Sequence, residues 1–253
     1  MKIQYCSDLH LEFFQNKKYL EHKPIEPVGD ILILAGDTCH FSEYAYEQPF
    51  FDKLSESFER VYLIPGNHEF YNGKDIKITD EPIQHQIREN VWLCNNKSII
   101  IGDVKLIFTT LWSMISMKNS QPIKEYMADF RYIRYDKKII DIPDYNLLHQ
   151  RSIQFLERAL QTDKNTKKVV VTHHLPSNLC NAPEYEGSVH NEAFCVDLTE
   201  LIGNINIAYW IYGHSHRNMP PINIKGTTLL TNQLGYVSMD EHLTFKYDAH
   251  FTI

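Results

Sequence analysis

The chain has no CxxC pair, and its five cysteines, Cys6, Cys39, Cys94, Cys180 and Cys195, are odd in number and scattered. Neither a disulfide framework nor a structural zinc knuckle is indicated. Positive charge is also in short supply: 25 Lys and Arg stand against 32 Asp and Glu, giving a net charge of −7. That balance argues against a protein whose main work is coating nucleic acid by counterion release, although a local site can still hold a phosphate. No stretch approaches the roughly 18 apolar residues of a membrane span. The opening MKIQYCSDLH has neither the basic start nor the long apolar run of a secretory signal, so a cytoplasmic protein with no membrane partner is expected. Internal repeats, low-complexity tracts and Gly/Ser linkers are missing too. One domain over residues 1–253 is the economical reading, and 43% hydrophobic residues suffice for a substantial core.

What is present is a recurring pattern. Short apolar runs of strand length each end in a polar cluster: KIQYC into SDLH, DILILA into GDTCH, RVYLIP into GNHEF, KVVVT into HHLPS, and AYWIY into GHSHR. Helices are expected in YEQPFFDKLSES and in DYNLLHQRSIQFLERALQ. In the latter, Leu147, Leu148, Ile153, Leu156 and Leu160 recur at near-helical spacing, and Asp144 lies in the N-cap region. NVWLCN, SIIIGDVKLIFTTLW and GTTLLTNQLGYV read as further strands, with a hairpin turn at Gly102 and Asp103. Strands alternating with helices predict an α/β layered domain whose active loops lie at the strand ends.

The loop clusters are Asp8 and His10; Asp37, with His40 following; Asn67, His68 and Glu69; His173 and His174; and His214 and His216. Alternation along a strand would send Asp8 and His10 to one face and Leu9 and Leu11 elsewhere. Taken singly, each cluster has an ordinary reading, such as a capping Asp beside a surface His or a Gly-Asp turn. Together they supply two Asp, one Asn and several His, a donor set suited to manganese, iron, zinc or nickel. Such a set can hold two divalent ions about 3.5–4 Å apart if one carboxylate bridges them.

In this order and at these separations, DLH, GDT, GNHE, THH and GHSH resemble the five signature motifs of the calcineurin-like metallophosphoesterases, from residue 8 to residue 216. PGNHEFY, MADFRYIR, THHLPS and IYGHSH are similar to a bacterial and phage-type group within that superfamily. The resemblance implies a four-layer α/β/β/α sandwich. It implies that Asp8, His10 and His216 hold one metal, that Asn67, His173 and His214 hold the second, and that Asp37 bridges. His68, not itself a ligand, is implied to lie near the substrate phosphate, where it can stabilise the transition state or protonate the leaving oxygen. The implied activity is phosphoester hydrolysis by in-line attack of a metal-bridging hydroxide, with two divalent ions as cofactors: manganese first, then iron, zinc or nickel. A phosphodiesterase acting on nucleotides or nucleic-acid ends is the leading expectation. A phosphomonoesterase, including a protein phosphatase, is the near alternative, and a non-catalytic metal-binding scaffold the third.

Outside the motifs, MADFRYIRYDKK sets Arg131, Arg134, Lys137 and Lys138 among aromatics. Arginine suits bidentate phosphate recognition, and Tyr132 or Tyr135 could stack a base. On a plain solvated loop, Asp129 and Asp136 would instead pair the basic groups. His174 is a candidate to touch substrate or to orient His173. In EYEGSVHNEAF, His190 and Asn191 are candidates for the rim. Cys6 and Cys39 read as small core residues, with Cys39 close enough to the expected metals for its oxidation to inhibit.

Overall fold

The computed structural model describes residues 1–44, 47–163 and 165–253. In chain order the elements are β1 (Lys2–Cys6), α1 (Phe14–His22), β2 (Ile31–Ala35), α2 (Gln48–Ser57), β3 (Arg60–Ile64), β4 (Ile83–Arg88), β5 (Val91–Asn95), β6 (Lys97–Ile101) and β7 (Val104–Phe108). There follow α3 (Ser120–Tyr126), α4 (Asp129–Tyr132), β8 (Arg134–Tyr135), β9 (Lys138–Ile139), α5 (Ile142–Gln161), β10 (Lys167–Val171), α6 (Thr199–Asn204), β11 (Tyr209–Tyr212), β12 (Ile222–Ile224), β13 (Thr227–Thr231) and β14 (His250–Thr252). One sheet runs β14-β1-β2-β3-β5-β4 and the other β12-β13-β11-β10-β7-β6. In each, four parallel strands are flanked by an antiparallel strand at either edge.

Parallel strands covered on both faces need apolar side chains in both directions, which is why ILILA and KVVVT read as continuous runs rather than alternations. Ile31, Ile33, Tyr62 and Ile64 of the first sheet meet Leu106, Phe108, Val169 and Val171 of the second. On the outer face of the first sheet, Leu32, Leu34 and Leu63 pack against Leu20 of α1 and Phe51 and Leu54 of α2. Ile107, Val170 and Trp210 pack against Leu156 and Leu160 of α5 and Ile202 of α6. Each aliphatic side chain withdrawn from water in this way contributes roughly 1.5–3 kcal/mol. The result is the expected helix/sheet/sheet/helix sandwich. Among the described residues no helix is long and apolar enough to cross a membrane.

Local details depart from the sequence expectation in three places. Strand β1 stops at Cys6, and Asp8 and His10 have φ of 56° and 47°, so their proximity comes from left-handed backbone and not from strand alternation. Helix α5 is capped by Asp141, whose side chain accepts from Ile142 N–H at 2.8 Å; Asp144 reaches back to the Asp141 N–H as the other half of a capping box. Cys39 is the buried core residue expected, but burial pushes its thiol pKa up, which disfavours the oxidation also expected of it. The expected helix YEQPFFDKLSES begins at Gln48, with Pro49 in the first turn, where a missing N–H costs no hydrogen bond. Its Tyr46 lies outside the described residues. The Gly102-Asp103 turn joins β6 to β7 as expected.

Candidate metal centre

Five loops leave the same edge of the two sheets, after β1, β2 and β3 in one and β10 and β11 in the other, and they converge on one spot. The loops approach so closely that glycine is required between strand and ligand. A Cβ on Gly213 would sit 2.6 Å from Asp8 Oδ2, and one on Gly66 would fall on Asp37 Oδ1. Asp8, His10, Asp37, His214 and His216 all have positive φ. For non-glycine residues that conformation costs free energy, and five instances in one cluster mark a place where the surrounding structure imposes side-chain direction.

Two donor groups share Asp37, and a third, of His10, Glu12 and His68, adjoins them. Asp8, His10, Asp37 and His216 make one, and Asp37, His173 and His214 the other, with the donor atoms of each group lying within 4.8 Å of one another. His10 Nε2 is 2.9 Å from His216 Nε2 and 3.8 Å from Asp37 Oδ2. On the other side, Asp37 Oδ2 is 3.3 Å from His173 Nε2, which in turn is 3.2 Å from Asn67 Oδ1. The far nitrogens are tied back: His10 Nδ1 to Glu12 at 2.8 Å, His216 Nδ1 to Glu241 at 2.7 Å and His173 Nδ1 to the Ala35 carbonyl at 2.9 Å. Donation by those Nδ1–H groups sets the ring orientation and turns each Nε2 inward, where it would face a metal once deprotonated.

Divalent cations fit this donor set. Asp8 and Asp37 are buried, and among the described residues no Lys or Arg pairs with either. A buried carboxylate without a cation is expensive, and here imidazoles supply the countercharge. Burial disfavours protonated His216, but Asp8 and Glu241 outweigh it and push its pKa up to about 10. His173 is likewise disfavoured by burial and carried up to about 9 by Asp37. His173 and His216 are thus favoured as protonated imidazoles, where a divalent ion would replace the proton, while burial lowers the pKa values of His10 and His214.

His68 stands beside this centre. Its backbone N–H donates to Asp37 Oδ1 at 2.9 Å, its Nδ1 lies 3.0 Å from Glu12 Oε1, and its Nε2 lies 3.3 Å from the Tyr236 hydroxyl. Burial opposes its charged form, yet Asp37 and Glu12 raise its pKa overall. Glu12, which the motifs do not include, therefore links His10 and His68 through a single carboxylate oxygen. Burial alone would raise the Glu12 pKa; the two imidazoles bring it down to about 2. A signal for it exists in the sequence, since DLHLE continues the two-residue spacing by one more polar position. Glu69 holds the scaffold together: its carboxylate accepts the N–H groups of Asp37, Thr38 and Gly66 at 3.1, 2.9 and 2.7 Å, pinning two loops to each other.

Asp129 also departs from expectation. Among the described residues it pairs with no basic group; it is fully buried and accepts from Asn67 Nδ2 at 2.9 Å and from the Tyr71 hydroxyl at 2.5 Å. Those bonds orient the Asn67 amide so that Oδ1 faces His173. Asp136 pairs with Lys77 at 2.9 Å, from outside MADFRYIRYDKK, and among the described residues with none of that segment's own basic groups.

A cleft of about 360 Å³ opens over the centre, with Asp37, Asn67, His68, His214 and His216 at its floor. Asn191 lines it and donates to the Tyr185 carbonyl at 2.7 Å. The other three candidates for substrate contact do not line it. Arg131 and Arg134 are exposed and donate to the carbonyls of Glu125 and Lys137, because α4 and the β8-β9 hairpin turn them outward. His174 is fully buried behind His214, ring centroids 4.2 Å apart, with its Nε2 3.1 Å from the Tyr145 hydroxyl.

Comparison with known proteins agrees with this architecture. An uncharacterized protein of Acanthamoeba polyphaga mimivirus is 33% identical over 261 aligned positions, covering 92% of this chain and 91% of that one. A phosphopantetheinyl hydrolase from Mycobacterium tuberculosis superposes with a TM-score of 0.67 at 19% identity, over 93% of this chain and 89% of that one. A dimetal phosphatase from Danio rerio superposes at 0.50 with 12% identity, over 92% and 87%. At these identities the two structures speak to fold alone. The family model described as calcineurin-like phosphoesterase matches residues 1–218, and the chain belongs to that family.

Proposed function

We propose that the chain is a phosphodiesterase with a dinuclear metal centre, in which Asp8, His10 and His216 hold one divalent ion and Asn67, His173 and His214 the other. Manganese is the proposed working ion. The observation that carries this reading is that Asp37 belongs to both donor groups, as a shared carboxylate must. When bound, the ions supply Lewis acidity toward phosphate oxygens and lower the pKa of water toward neutrality. The protein's own part is positional. Glu12 holds His68 with Nε2 toward the cleft, where it can donate a proton to the departing alkoxide. Both sheets contribute loops to the centre, so residues 1–253 act in this reading as one domain.

The preference for diesters rests on charge. A phosphodiester carries one negative charge and a monoester up to two, and beyond the two proposed ions no Lys or Arg among the described residues lines the cleft to meet the second. Metal-stripped protein refilled with manganese is therefore expected to turn over bis(p-nitrophenyl) phosphate with kcat/KM at least about tenfold above p-nitrophenyl phosphate, a barrier difference of about 1.4 kcal/mol. A monoester preference would replace this reading with a phosphatase. No turnover of either ester, with two ions bound, would leave a metal-binding scaffold.

A further inference from the structure

The wall of the cleft has a composition that the metal centre does not explain. At the end of α3, the Tyr126 ring stacks on His190, with centroids 4.0 Å apart and planes 14° from parallel. Both line the cleft, and Tyr126 remains 59% exposed, so ring surface is still presented outward. Tyr185 and Tyr71 line the same space. The rim carrying the stack is braced. Glu192 accepts from Ser116 N–H at 2.8 Å and Asn119 Nδ2 at 2.7 Å, joining the start of α3 to the 189–193 turn.

Charge is arranged as selectively as the rings. Glu241 lies in the lining, and the nearby Arg217 is engaged by Glu184 at 2.8 Å and Glu241 at 3.3 Å. Arg131 and Arg134, the two arginines of the segment that follows Tyr126, face away. A ligand entering this wall meets aromatic faces and a carboxylate. A planar uncharged ring gains from the first and is indifferent to the second, whereas among the described residues no Lys or Arg in the lining meets an added phosphate.

We propose that this wall is a substrate subsite for one planar uncharged ring, a nucleobase carried on the retained, non-leaving alcohol of a phosphodiester, and that it discriminates against substrates bearing further phosphates. The proposal rests on the phosphodiesterase reading above and narrows it: longer nucleic-acid strands are disfavoured, and small single-phosphate diesters are favoured. The available volume of about 360 Å³ suits a ligand of that size.

The test uses two chromogenic diesters, thymidine p-nitrophenyl phosphate and methyl p-nitrophenyl phosphate, on manganese-loaded full chain. Tyr126→Ala is expected to raise KM for the thymidine ester by about tenfold, the scale of one lost base–aromatic stack, and to leave the methyl ester unchanged. Tyr126→Phe, which keeps the ring, is expected to leave both unchanged. A thymidine ester carrying a second phosphate on the sugar is expected to show a higher KM than the parent. Equal effects of Tyr126→Ala on both esters, no effect on the thymidine ester, or tighter binding of the doubly phosphorylated ester would each overturn the subsite. If wild-type protein hydrolyses neither ester, the phosphodiesterase reading fails separately. The subsite is then decided by binding of thymidine monophosphate, followed through the His190 ring protons. Affinity lost in Tyr126→Ala supports it; affinity retained or absent throughout overturns it.

Discussion

Asp37→Ala is expected to lower turnover by at least about 10³-fold, the scale of removing a principal catalytic group, and to leave the protein unable to retain two ions. The size of the effect follows from how many partners one carboxylate serves. Oδ2 stands between His10 and His173, at 3.8 and 3.3 Å, and Oδ1 anchors the His68 backbone at 2.9 Å. Burial would raise the Asp37 pKa, but His173, His68 and His10 hold it well below the usual carboxylate range. Truncation therefore removes the shared donor, frees the His68 loop and strands buried imidazoles without their counterion. Asp37→Asn serves as the shape-preserving control and is expected to lose activity similarly while keeping the folded circular-dichroism spectrum. Elemental analysis beside steady-state kinetics reads both effects. Two ions retained with turnover within about tenfold of wild type would show that Asp37 is not the shared ligand.

The second large effect separates chemistry from metal binding. His68→Ala is expected to keep both ions and to lower kcat by about 10²–10⁴-fold on alkyl phosphodiesters, the usual range for loss of a positioned proton donor. On p-nitrophenyl esters, whose leaving group departs without needing a proton, the loss should be smaller. That contrast distinguishes a proton donor from a group that merely shapes the cleft. The geometry behind it is the shared Glu12 oxygen, 2.8 Å from His10 Nδ1 and 3.0 Å from His68 Nδ1, which aims His68 Nε2 at the cleft. A loss of equal size on alkyl and p-nitrophenyl esters would remove the proton-donor role.

The parts of the centre that are legible in sequence are those written locally. Each apolar run is a strand, each strand end carries its donors within a few residues, and the glycines of GDT, GNHE and GHSH stand where neighbouring side chains press against the backbone. What the sequence does not disclose depends on contacts between distant segments. Asn67 meets Asp129 across 62 positions, and nothing in MADFRYIR distinguishes that buried acid from one that pairs with its neighbouring arginines. For the same reason local composition makes Arg131 and Arg134 attractive, while the direction of α4 turns them outward. The pairing of Asp8 with His10 is expected from sequence for an incorrect cause: strand alternation predicts a common face, but the chain has already left the strand and reaches that face through two left-handed residues. The aromatic stack of Tyr126 on His190 joins segments that only the packing of α3 against the 189–193 turn brings together.

The central claim, that two ions on a shared carboxylate perform the hydrolysis, is tested most directly by titrating metal-free protein with manganese while counting bound ions and following diester turnover in the same samples. Saturation at two ions per chain is predicted, with activity rising as the second site fills. Full activity at one bound ion, or saturation at one, would contradict it.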